Sequence, residues 1–197
     1  MQDFWNQRYS DNETVYGINP NKYFQTFIDT HEKGSLLLAA EGEGRNAMYA
    51  ASKGWQVDAF DFSEVAIKKA LQLAEINNLH FNYELKDITT YKAGKEYDAV
   101  GLIYVHLAHT IRIPFHKEII RSIKKGGYLI LEAFSKEQIN FTSGGPTNID
   151  LLYNKELLLE DFKELSVLSC TKEEIFLDEG DFHKGKASVV RLLAQKL

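Results

Sequence analysis

Short apolar runs recur along the chain and are separated by polar stretches that contain most of the glycines. The run at residues 36–40 is apolar without alternation, which is typical of a strand buried on both faces. Other short runs are rich in β-branched and aromatic residues. They predict further strands at residues 57–61, 81–85, 97–105, 128–133, 165–177 and 187–194.

Between these strands, apolar residues recur at helical spacing, and residues that start or stop helices lie at their ends. Asn19 and Pro20 predict a helix start in the N-terminal part, as a cap and a first helical residue. The apolar stripe of that helix consists of Phe24, Phe27 and Ile28. Further helices are predicted over residues 45–53, 63–77, 114–125 and 154–162.

The alternation of strands and helices predicts parallel β-α-β units. No helix is predicted between the last two strands, so they should form an antiparallel hairpin. The predicted fold is an α/β, Rossmann-like three-layer sandwich with a seven-stranded, mostly parallel sheet and a C-terminal antiparallel hairpin. No Pro/Gly-rich linker divides the 197 residues, so a single domain over residues 1–197 is predicted.

Net charge and cysteine content indicate which binding partners and which cellular compartment are expected. The net charge is −5 and no long basic run occurs, so a nucleic-acid partner is not expected. The single cysteine, Cys170, cannot form an internal disulfide, which favours a reducing, cytoplasmic location. No apolar run of about 18 residues occurs, so no membrane partner is expected. The sequence is compatible with a monomer or a homodimer.

Glycines and carboxylates follow the first three predicted strands, at the edge where open α/β sheets bind ligands. Gly42 and Gly44 leave room for a ligand near the backbone, and the next helix offers free N–H groups. Asp61 ends the second strand, and its oxygens can accept both hydroxyls of a ribose. Asp87 and the N–H of Ile88 can bind an adenine edge. A plain tight turn and an anion at a helix N-terminus are alternative explanations for the glycines and Asp61.

The motifs also disfavour several kinds of catalytic site. Neither a P-loop nor the Gly-x-Ser-x-Gly elbow of a hydrolase occurs. His106 and His109 are three residues apart, but two ligands are too few, so no metal site is predicted. His183, in the polar turn at residues 178–186, is the best candidate for a general base, because the ordinary histidine pKa of about 6.5 suits proton transfer. Tyr153 is a candidate for the wall of an acceptor pocket.

The order of these motifs resembles that of the class I S-adenosylmethionine-dependent methyltransferases. The resemblance spans nearly the whole chain and includes residues 36–46, 57–63, 87, 97–100 and 125–128. The Gly-Arg-Asn that ends the first motif, and the aromatic N-terminal segment, are most similar to the tellurite-resistance branch and its thiopurine methyltransferase relatives. The resemblance implies S-adenosylmethionine as the cofactor and a small-molecule methyl acceptor, with a thiol or a metalloid oxyanion favoured. It also implies that residues 1–34 form a helical cover over the cofactor site.

The resemblance assigns roles to the matching residues. The methionine end should face the glycine turn and Asn46, and the aromatic N-terminal residues should close over the cofactor. Tyr104 and His106 should border the transferring methyl group. The implied cofactor-binding residues are Trp5, Tyr9, Tyr16, Gly17, Glu41, Gly42, Gly44, Asn46, Asp61, Phe62, Ser63, Asp87, Ile88 and Tyr104. The candidate catalytic residues are His183, His106 and Tyr153.

The first motif departs from the family pattern at two positions. Leu38 stands where the family has an acidic strand residue, and Ala40 stands where it has its first glycine. The alanine is tolerated at little cost if its φ angle is negative. We hypothesise that the carboxylate of Glu41 replaces the missing acid near the α-amino group of the cofactor.

Two other function classes fit the same features. A nicotinamide-dependent oxidoreductase would use the glycine turn and Asp61, although a third glycine is missing and the final hairpin disfavours this class. A non-catalytic S-adenosylmethionine-binding module would bind the cofactor without transferring its methyl group. Selective thermal stabilisation by S-adenosylmethionine or NAD separates the first alternative, and turnover separates the second.

Overall fold

The computed structural model describes residues 2–10 and 14–197, which form one seven-stranded sheet with helices on both faces. The strands are β1 (Ser35–Ala39), β2 (Gln56–Asp61), β3 (Asn82–Leu85), β4 (Tyr97–Ile103), β5 (Ile123–Phe134), β6 (Ser166–Asp178) and β7 (Lys184–Gln195). The α-helices are α1 (Gln2–Ser10), α2 (Lys22–Thr30), α3 (Arg45–Ser52), α4 (Glu64–Ile76), α5 (His109–Arg121) and α6 (Lys155–Asp161).

The strand order is β3-β2-β1-β4-β5-β7-β6. Strands β1 to β5 are parallel, and β7 is antiparallel to both of its neighbours. The predicted fold class is therefore confirmed, including the C-terminal hairpin. Because β6 runs in the same direction as β1 to β5, the turn between β6 and β7 lies at the carboxyl ends of the parallel strands. We call this edge of the sheet the carboxyl rim.

The apolar run of β1 packs on both faces of the sheet. Leu36 and Leu38 belong to a cluster that includes the buried residues of α2 and α3, whereas Leu37 and Ala39 pack with residues of α5 and α6. All five residues of β1 are buried. A central parallel strand covered on both sides has this uninterrupted apolar pattern, and it fixes the three-layer arrangement.

Helix α2 begins later than predicted, and it packs on a different element from α1. The cap of α2 is Asn21, whose side chain accepts from the N–H of Phe24 at 3.0 Å, so the predicted start at Asn19 was two residues early. Helix α1 packs against α4, whereas α2 packs against α3 and β5. Helix α2 therefore belongs to a face of the sheet, whereas α1 lies against α4.

Three further boundaries, at both ends of α5 and at the end of β4, differ from the prediction. Helix α5 begins at His109 and accepts Pro114 in its second turn, at the cost of one hydrogen bond to the carbonyl of Thr110. It ends at Arg121, so the segment predicted as its last turn lies in β5. Strand β4 ends at Ile103, two residues early, because the next residue has a φ of 56°.

Within residues 2–10 and 14–197, no helix has the length and apolar character that crossing a membrane would require.

Candidate functional site

The turn after β1 is held in one shape by its glycines and by a neighbouring tyrosine. Gly42 and Gly44 have φ angles of 61° and 78°, in the left-handed region that glycine favours. A Cβ atom on Gly44 would lie 2.8 Å from the Cβ of Ala70 in α4. The hydroxyl of Tyr83, on β3, donates to the carbonyl of Gly42. The turn thus brings backbone close to α4 and β3, and larger residues could not replace these glycines without movement.

Ala40 also has a left-handed backbone, with a φ of 50°. The expectation that this alanine sits at negative φ was therefore wrong. A left-handed non-glycine residue carries a steric penalty of about 1–2 kcal/mol, because its Cβ approaches the following carbonyl oxygen. The backbone at position 40 of the first motif therefore has a conformation that suits glycine, although the residue is alanine.

We expect Ala40→Gly to stabilise the protein by about 0.5–1 kcal/mol, because relief of the left-handed strain exceeds the greater entropy of an unfolded glycine. In thermal unfolding this corresponds to an increase of about 1–4 °C in Tm. Ala50→Gly, in the middle of α3, is the matched control and should lose about 1 kcal/mol. If Ala40→Gly lost as much free energy of unfolding as Ala50→Gly, that result would contradict the backbone strain at position 40.

Asp61 lies at the carboxyl end of β2 and binds the glycine turn directly. Its Oδ2 accepts from the N–H of Gly42 at 3.0 Å, and its Oδ1 accepts from the N–H of Ser63 at 2.8 Å. Burial raises the pKa of this carboxyl, while the same backbone hydrogen bonds act in the opposite direction. Each carboxylate oxygen has a further lone pair, so Asp61 can shape the turn and still accept from a ligand hydroxyl.

Asp87 lies at the same rim, beside Asp61. The backbone N–H of Lys86 donates to the carbonyl of Asp61 at 2.9 Å, which joins the ends of β2 and β3. Asp87 is exposed, and its Oδ1 accepts from the N–H and the hydroxyl of Thr89, both at 2.7 Å, to begin the 3₁₀ helix Ile88–Thr90. Ile88 packs half-buried against the core. The structure thus brings the predicted ribose and adenine residues to adjacent strand ends.

A small cleft adjoins this position without reaching Asp61. It has a volume of about 110 Å³ and lies between the 3₁₀ helix and α5. Ligand pockets typically have volumes of about 300–1,000 Å³, so this cleft alone is too small for a nucleoside. Its lining residues are Ile88, Thr89, Tyr91, Lys92, Thr110, Ile111, Pro114, Phe115 and Glu118.

Helix α1 lies directly on the glycine turn. The rings of Trp5 and Tyr9 are stacked 5.7 Å apart, and the Tyr9 hydroxyl lies 2.7 Å from the place where a Cβ on Gly42 would be. The amide of Gln2 donates to the carbonyl of Phe62 at 2.7 Å. Tyr9 therefore lies on the turn with Trp5 stacked against it, and a ligand that binds beneath Tyr9 requires α1 to move. The hydroxyl of Ser63 donates to Asn6 at 2.6 Å, which also ties α4 to α1.

Arg45 ties the segment after α1 to the rest of the rim. Its guanidinium donates to the carbonyls of Tyr16, at 3.4 Å, and Asn19, at 3.3 Å. Gly180, in the β6–β7 turn, packs against the same segment, since a Cβ there would lie 2.6 Å from the carbonyl oxygen of Val15. Gly17, with a φ of 69°, lies opposite Gly180. Both glycines therefore allow the segment after α1 and the β6–β7 turn to approach each other closely.

Glu41 caps helix α3. Its Oε1 accepts from the N–H groups of Asn46 and Ala47, both at 2.8 Å, and its Oε2 accepts from the side-chain amide of Asn46 at 3.2 Å. Burial raises the pKa of Glu41 to about 7, against these hydrogen bonds. The Asn46 side chain also accepts from the N–H of Asn21 at 2.9 Å, so Asn46 holds Glu41 and the start of α2 together.

His183 lies among three aromatic rings at the carboxyl rim. Its ring centroid is 4.5 Å from that of Tyr16, 4.6 Å from that of Tyr104 and 5.2 Å from that of Phe134. The hairpin direction predicted from the sequence therefore places His183 on the side of Asp61 and the glycine turn. Burial lowers the pKa of His183, so its ring is neutral at neutral pH and has one nitrogen able to accept a proton.

Tyr104 and Glu132 form a buried polar centre beside His183. Tyr104 has a φ of 56°, and its hydroxyl donates to Glu132 at 2.9 Å. The fully buried Glu132 also accepts from the side-chain amide of Asn21 at 2.6 Å and from Arg191. Strained backbone at a buried polar site costs about 1–3 kcal/mol, and such strain concentrates at functional sites.

His106 and Tyr153 are both hydrogen-bonded to backbone groups in this arrangement. Because the N–H of Phe134 donates to Nε2 of His106, its Nδ1 carries the proton and donates to the carbonyl of Leu151 at 2.8 Å. Burial lowers the pKa of His106 to about 4. Tyr153 is fully buried, and its hydroxyl accepts from the N–H of Leu107 at 3.0 Å. The geometry thus gives both predicted catalytic residues a structural role.

Three residues at the rim were not selected from the sequence: Arg45, Glu132 and Glu179. Glu132 had a usable signal, because it is a single charged residue in an apolar strand. Arg45 was part of a recognised motif but was given no role, and Glu179 lies in a polar turn without any signal. In the described part of the chain, no group of three or more His, Cys, Asp or Glu side chains is placed to hold a metal ion.

The chain is similar in sequence to a family model and to several curated proteins. The family model of the tellurite resistance protein TehB matches residues 4–192. The probable S-adenosyl-L-methionine-dependent methyltransferase TehB of Haemophilus influenzae is 25% identical over 163 residues, which are 79% of this chain and 54% of that protein. A tRNA (uracil(54)-C(5))-methyltransferase of Pyrococcus abyssi is 33% identical over 99 residues, which are 43% of this chain and 24% of that protein. The chain therefore spans between a quarter and about half the length of these relatives.

Solved structures share the same fold. The crystal structure of TehB from Haemophilus influenzae superposes with a TM-score of 0.76 at 20% identity, and the match covers 100% of this chain and 67% of that chain. The N-methyltransferase NodS from Bradyrhizobium japonicum WM9, in complex with S-adenosyl-L-homocysteine, gives a TM-score of 0.75 at 11% identity and covers 99% and 97% of the two chains. These similarities establish the fold of the chain.

Proposed function

Because this chain belongs to the tellurite resistance protein TehB family, we propose that it binds S-adenosylmethionine at the carboxyl rim and transfers the methyl group to a small molecule. The observation that carries the proposal is Asp61. This carboxylate shapes the glycine turn with one lone pair of each oxygen and keeps the others for a ribose. The donors and acceptors at the rim fit an adenosyl group, provided that α1 moves to admit it.

Each part of the cofactor is bound by different residues of the carboxyl rim. Asp61 binds the ribose hydroxyls, and Asp87 with the N–H of Ile88 binds the adenine edge. The glycine turn and Glu41 face the methionine end. Asn46 contributes by holding Glu41, because its own amide is already bonded to Glu41 and to Asn21. Trp5 and Tyr9 close over the bound molecule and exclude water.

Glu41 provides a proton-linked signature of cofactor binding. Its pKa of about 7 means that about half of the free protein carries a proton on Glu41 at pH 7. A cationic α-amino group nearby favours the carboxylate, so binding lowers that pKa and releases up to about half a proton. We expect calorimetry of S-adenosylmethionine binding at pH 7, in buffers of different ionisation enthalpy, to detect this release and to lose it in Glu41→Gln. The same release in Glu41→Gln would contradict the role of Glu41.

The chain mainly has to position the reactants. When bound, S-adenosylmethionine supplies a methyl group that its sulfonium already activates. Alignment alone can lower a barrier by about 7–11 kcal/mol. The rings of Tyr16, Tyr104 and Phe134 exclude water around His183, and aromatic rings near a sulfonium add about 0.5–2 kcal/mol of cation–π attraction.

His183 removes the proton from an acceptor that carries one at neutral pH. Its ring is neutral and lies at the rim, which are the two properties that a general base needs. A small thiol is the favoured acceptor class, with a metalloid oxyanion as the second. A metalloid oxyanion needs little help from a base, because the lone pair on its central atom carries no proton.

The proposal is tested by incubating the protein with S-adenosylmethionine and a panel of thiols, selenite, tellurite and small amines, with S-adenosylhomocysteine release as the readout. We expect release with at least one thiol or oxyanion. Tight cofactor binding without turnover on any acceptor would favour a binding module, and selective stabilisation by NAD would favour an oxidoreductase. The tRNA substrate in the name of the Pyrococcus relative belongs to a much longer protein, and the acidic charge of this chain does not favour it.

A further inference from the structure

Glu179 is a buried carboxylate surrounded by three donors from different parts of the chain. Its Oε2 lies 2.9 Å from a terminal nitrogen of Arg45 in α3 and 3.5 Å from Nδ1 of His183. Its Oε1 accepts from the side-chain amide of Asn21 at 3.3 Å. The side chains of Arg45 and Glu179 are each 9% exposed, so this ion pair is held away from solvent. The α3 side of the glycine turn is thereby tied to the β6–β7 turn.

The β6–β7 turn fixes Glu179 and His183 relative to each other. The N–H of Glu179 donates to the carbonyl of His183 at 2.9 Å, and the N–H of His183 donates to the carbonyl of Gly180 at 3.3 Å. Gly144 packs against the His183 ring, since a Cβ there would lie 2.8 Å from Cδ2 of His183. The 3.5 Å contact between the two side chains is long, as catalytic hydrogen bonds often are before a ligand binds.

The charges around this pair are balanced. Arg45 neutralises Glu179, and Arg191 neutralises Glu132, the second carboxylate near His183. The remaining titratable groups that face His183 are Tyr16, Tyr104 and the neutral His106. Glu179 is therefore the carboxylate that touches the His183 ring. A carboxylate can only accept, so the nitrogen facing it must carry the proton.

From this geometry we propose that Glu179 is a positioning residue that keeps the proton of neutral His183 on Nδ1, which leaves Nε2 free to accept a proton from the acceptor. Arg45 holds Glu179 in place for this purpose. The inference rests on the role of His183 as the base in the proposed function, and Glu179 itself touches neither cofactor nor acceptor.

The step balances without any further reactant. The proton of an acceptor X–H moves to Nε2 of His183 while the X lone pair forms a bond to the methyl carbon and the methyl–sulfur bond breaks. The products are X–CH₃, S-adenosylhomocysteine and an imidazolium. Glu179 stabilises that imidazolium through the N–H on Nδ1, and the proton then leaves to solvent.

The first test measures the ring nitrogens of His183 by ¹⁵N NMR in the wild-type protein, with the signals identified by their loss in His183→Gln. We expect the neutral ring to carry its proton on Nδ1, with Nε2 unprotonated. This measurement needs no acceptor and no variant at position 179. A wild-type ring with the proton on Nε2 would overturn the proposal.

The second test compares Glu179→Gln with Glu174→Gln, an exposed glutamate on β6 that pairs with Lys186. We expect the titration midpoint of His183 to fall by about one pH unit in Glu179→Gln, because the ring loses a neighbouring anion, and to stay unchanged in Glu174→Gln. The acid limb of kcat/KM with 2-mercaptoethanol should move by the same amount. A purely structural role for Glu179 would lower stability and leave the midpoint of the folded protein in place, and that result would overturn the proposal.

If the proposed function is wrong, the same variants give a different set of results. If His183→Gln keeps the wild-type rate and acid limb, His183 is not the base, and the positioning role of Glu179 in the reaction is wrong even if the NMR results hold. If the acid limb of kcat/KM disappears in His183→Gln but keeps its wild-type midpoint in Glu179→Gln, His183 is the base. The positioning role of Glu179 is then wrong.

Discussion

Asp61→Asn is expected to weaken the binding of S-adenosylhomocysteine about 100-fold. Both oxygens of Asp61 accept from backbone N–H groups, one from Gly42 and one from Ser63. An asparagine has a single oxygen, so its amide would face one of these donors, and the turn would lose its shape. The ribose would also lose a charged acceptor. A loss of about 3 kcal/mol for such a buried, charged set of hydrogen bonds corresponds to the expected factor.

Isothermal titration calorimetry measures this change directly. Asp58→Asn is the matched control, because Asp58 lies on the same strand and pairs with Lys95, at 2.7 Å, away from the carboxyl end. We expect wild-type affinity in the control. If Asp61→Asn binds S-adenosylhomocysteine as tightly as Asp58→Asn while both remain folded, the ribose does not bind at Asp61.

His183→Gln should lower kcat by about 10²- to 10⁴-fold with a thiol acceptor, which is the usual contribution of a positioned acid or base. The KM for S-adenosylmethionine should change less than kcat, because Asp61 and Asp87 lie at the ends of β2 and β3, whereas His183 lies in the β6–β7 turn. Burial keeps His183 neutral at neutral pH, so the wild-type rate should fall only when the pH drops through its lowered pKa. The acid limb of the wild-type profile should therefore lie below the ordinary histidine range.

A steady-state comparison with two acceptors distinguishes base catalysis from a loss of structure. The selenium lone pair of selenite carries no proton, so His183→Gln should retain far more activity on selenite than on a thiol. His31→Gln, at the end of α2, controls for the loss of a histidine elsewhere. Equal losses on both acceptors would mean that His183 supports the fold of the rim and is not the base.

Most of the fold was predictable because its pattern is local. The unalternating apolar residues of β1 reflect burial on both faces, and the absence of a helix before β7 predicts the hairpin. Helix starts were less certain, since Asn19 and Asn21 are both good caps and tertiary contacts decide between them. Asn21 is selected because its backbone binds Asn46 and its side chain binds Glu132, which no local pattern reveals.

The convergence of the glycine turn, Asp61 and Asp87 at one edge of the sheet was also predictable, whereas the buried polar centre beside His183 was not. Asp61 and the glycine turn follow from the rule that strand ends meet at one edge of a parallel sheet. The contact between Arg45 and Glu179 joins residues 134 positions apart, and that between Asn21 and Glu132 joins residues 111 apart. Such pairs depend on how the hairpin folds back over the rim, and a single sequence does not contain that information.

A crystal structure with S-adenosylhomocysteine tests the central claim most directly. We predict that the adenosyl group lies at the carboxyl rim, with its ribose hydroxyls on the carboxylate of Asp61, its adenine beside Asp87 and Ile88, and helix α1 displaced from its contact with Gly42. A structure from crystals soaked at saturating ligand, in which Tyr9 still packs on Gly42 and the ligand is absent or bound elsewhere, would contradict the account.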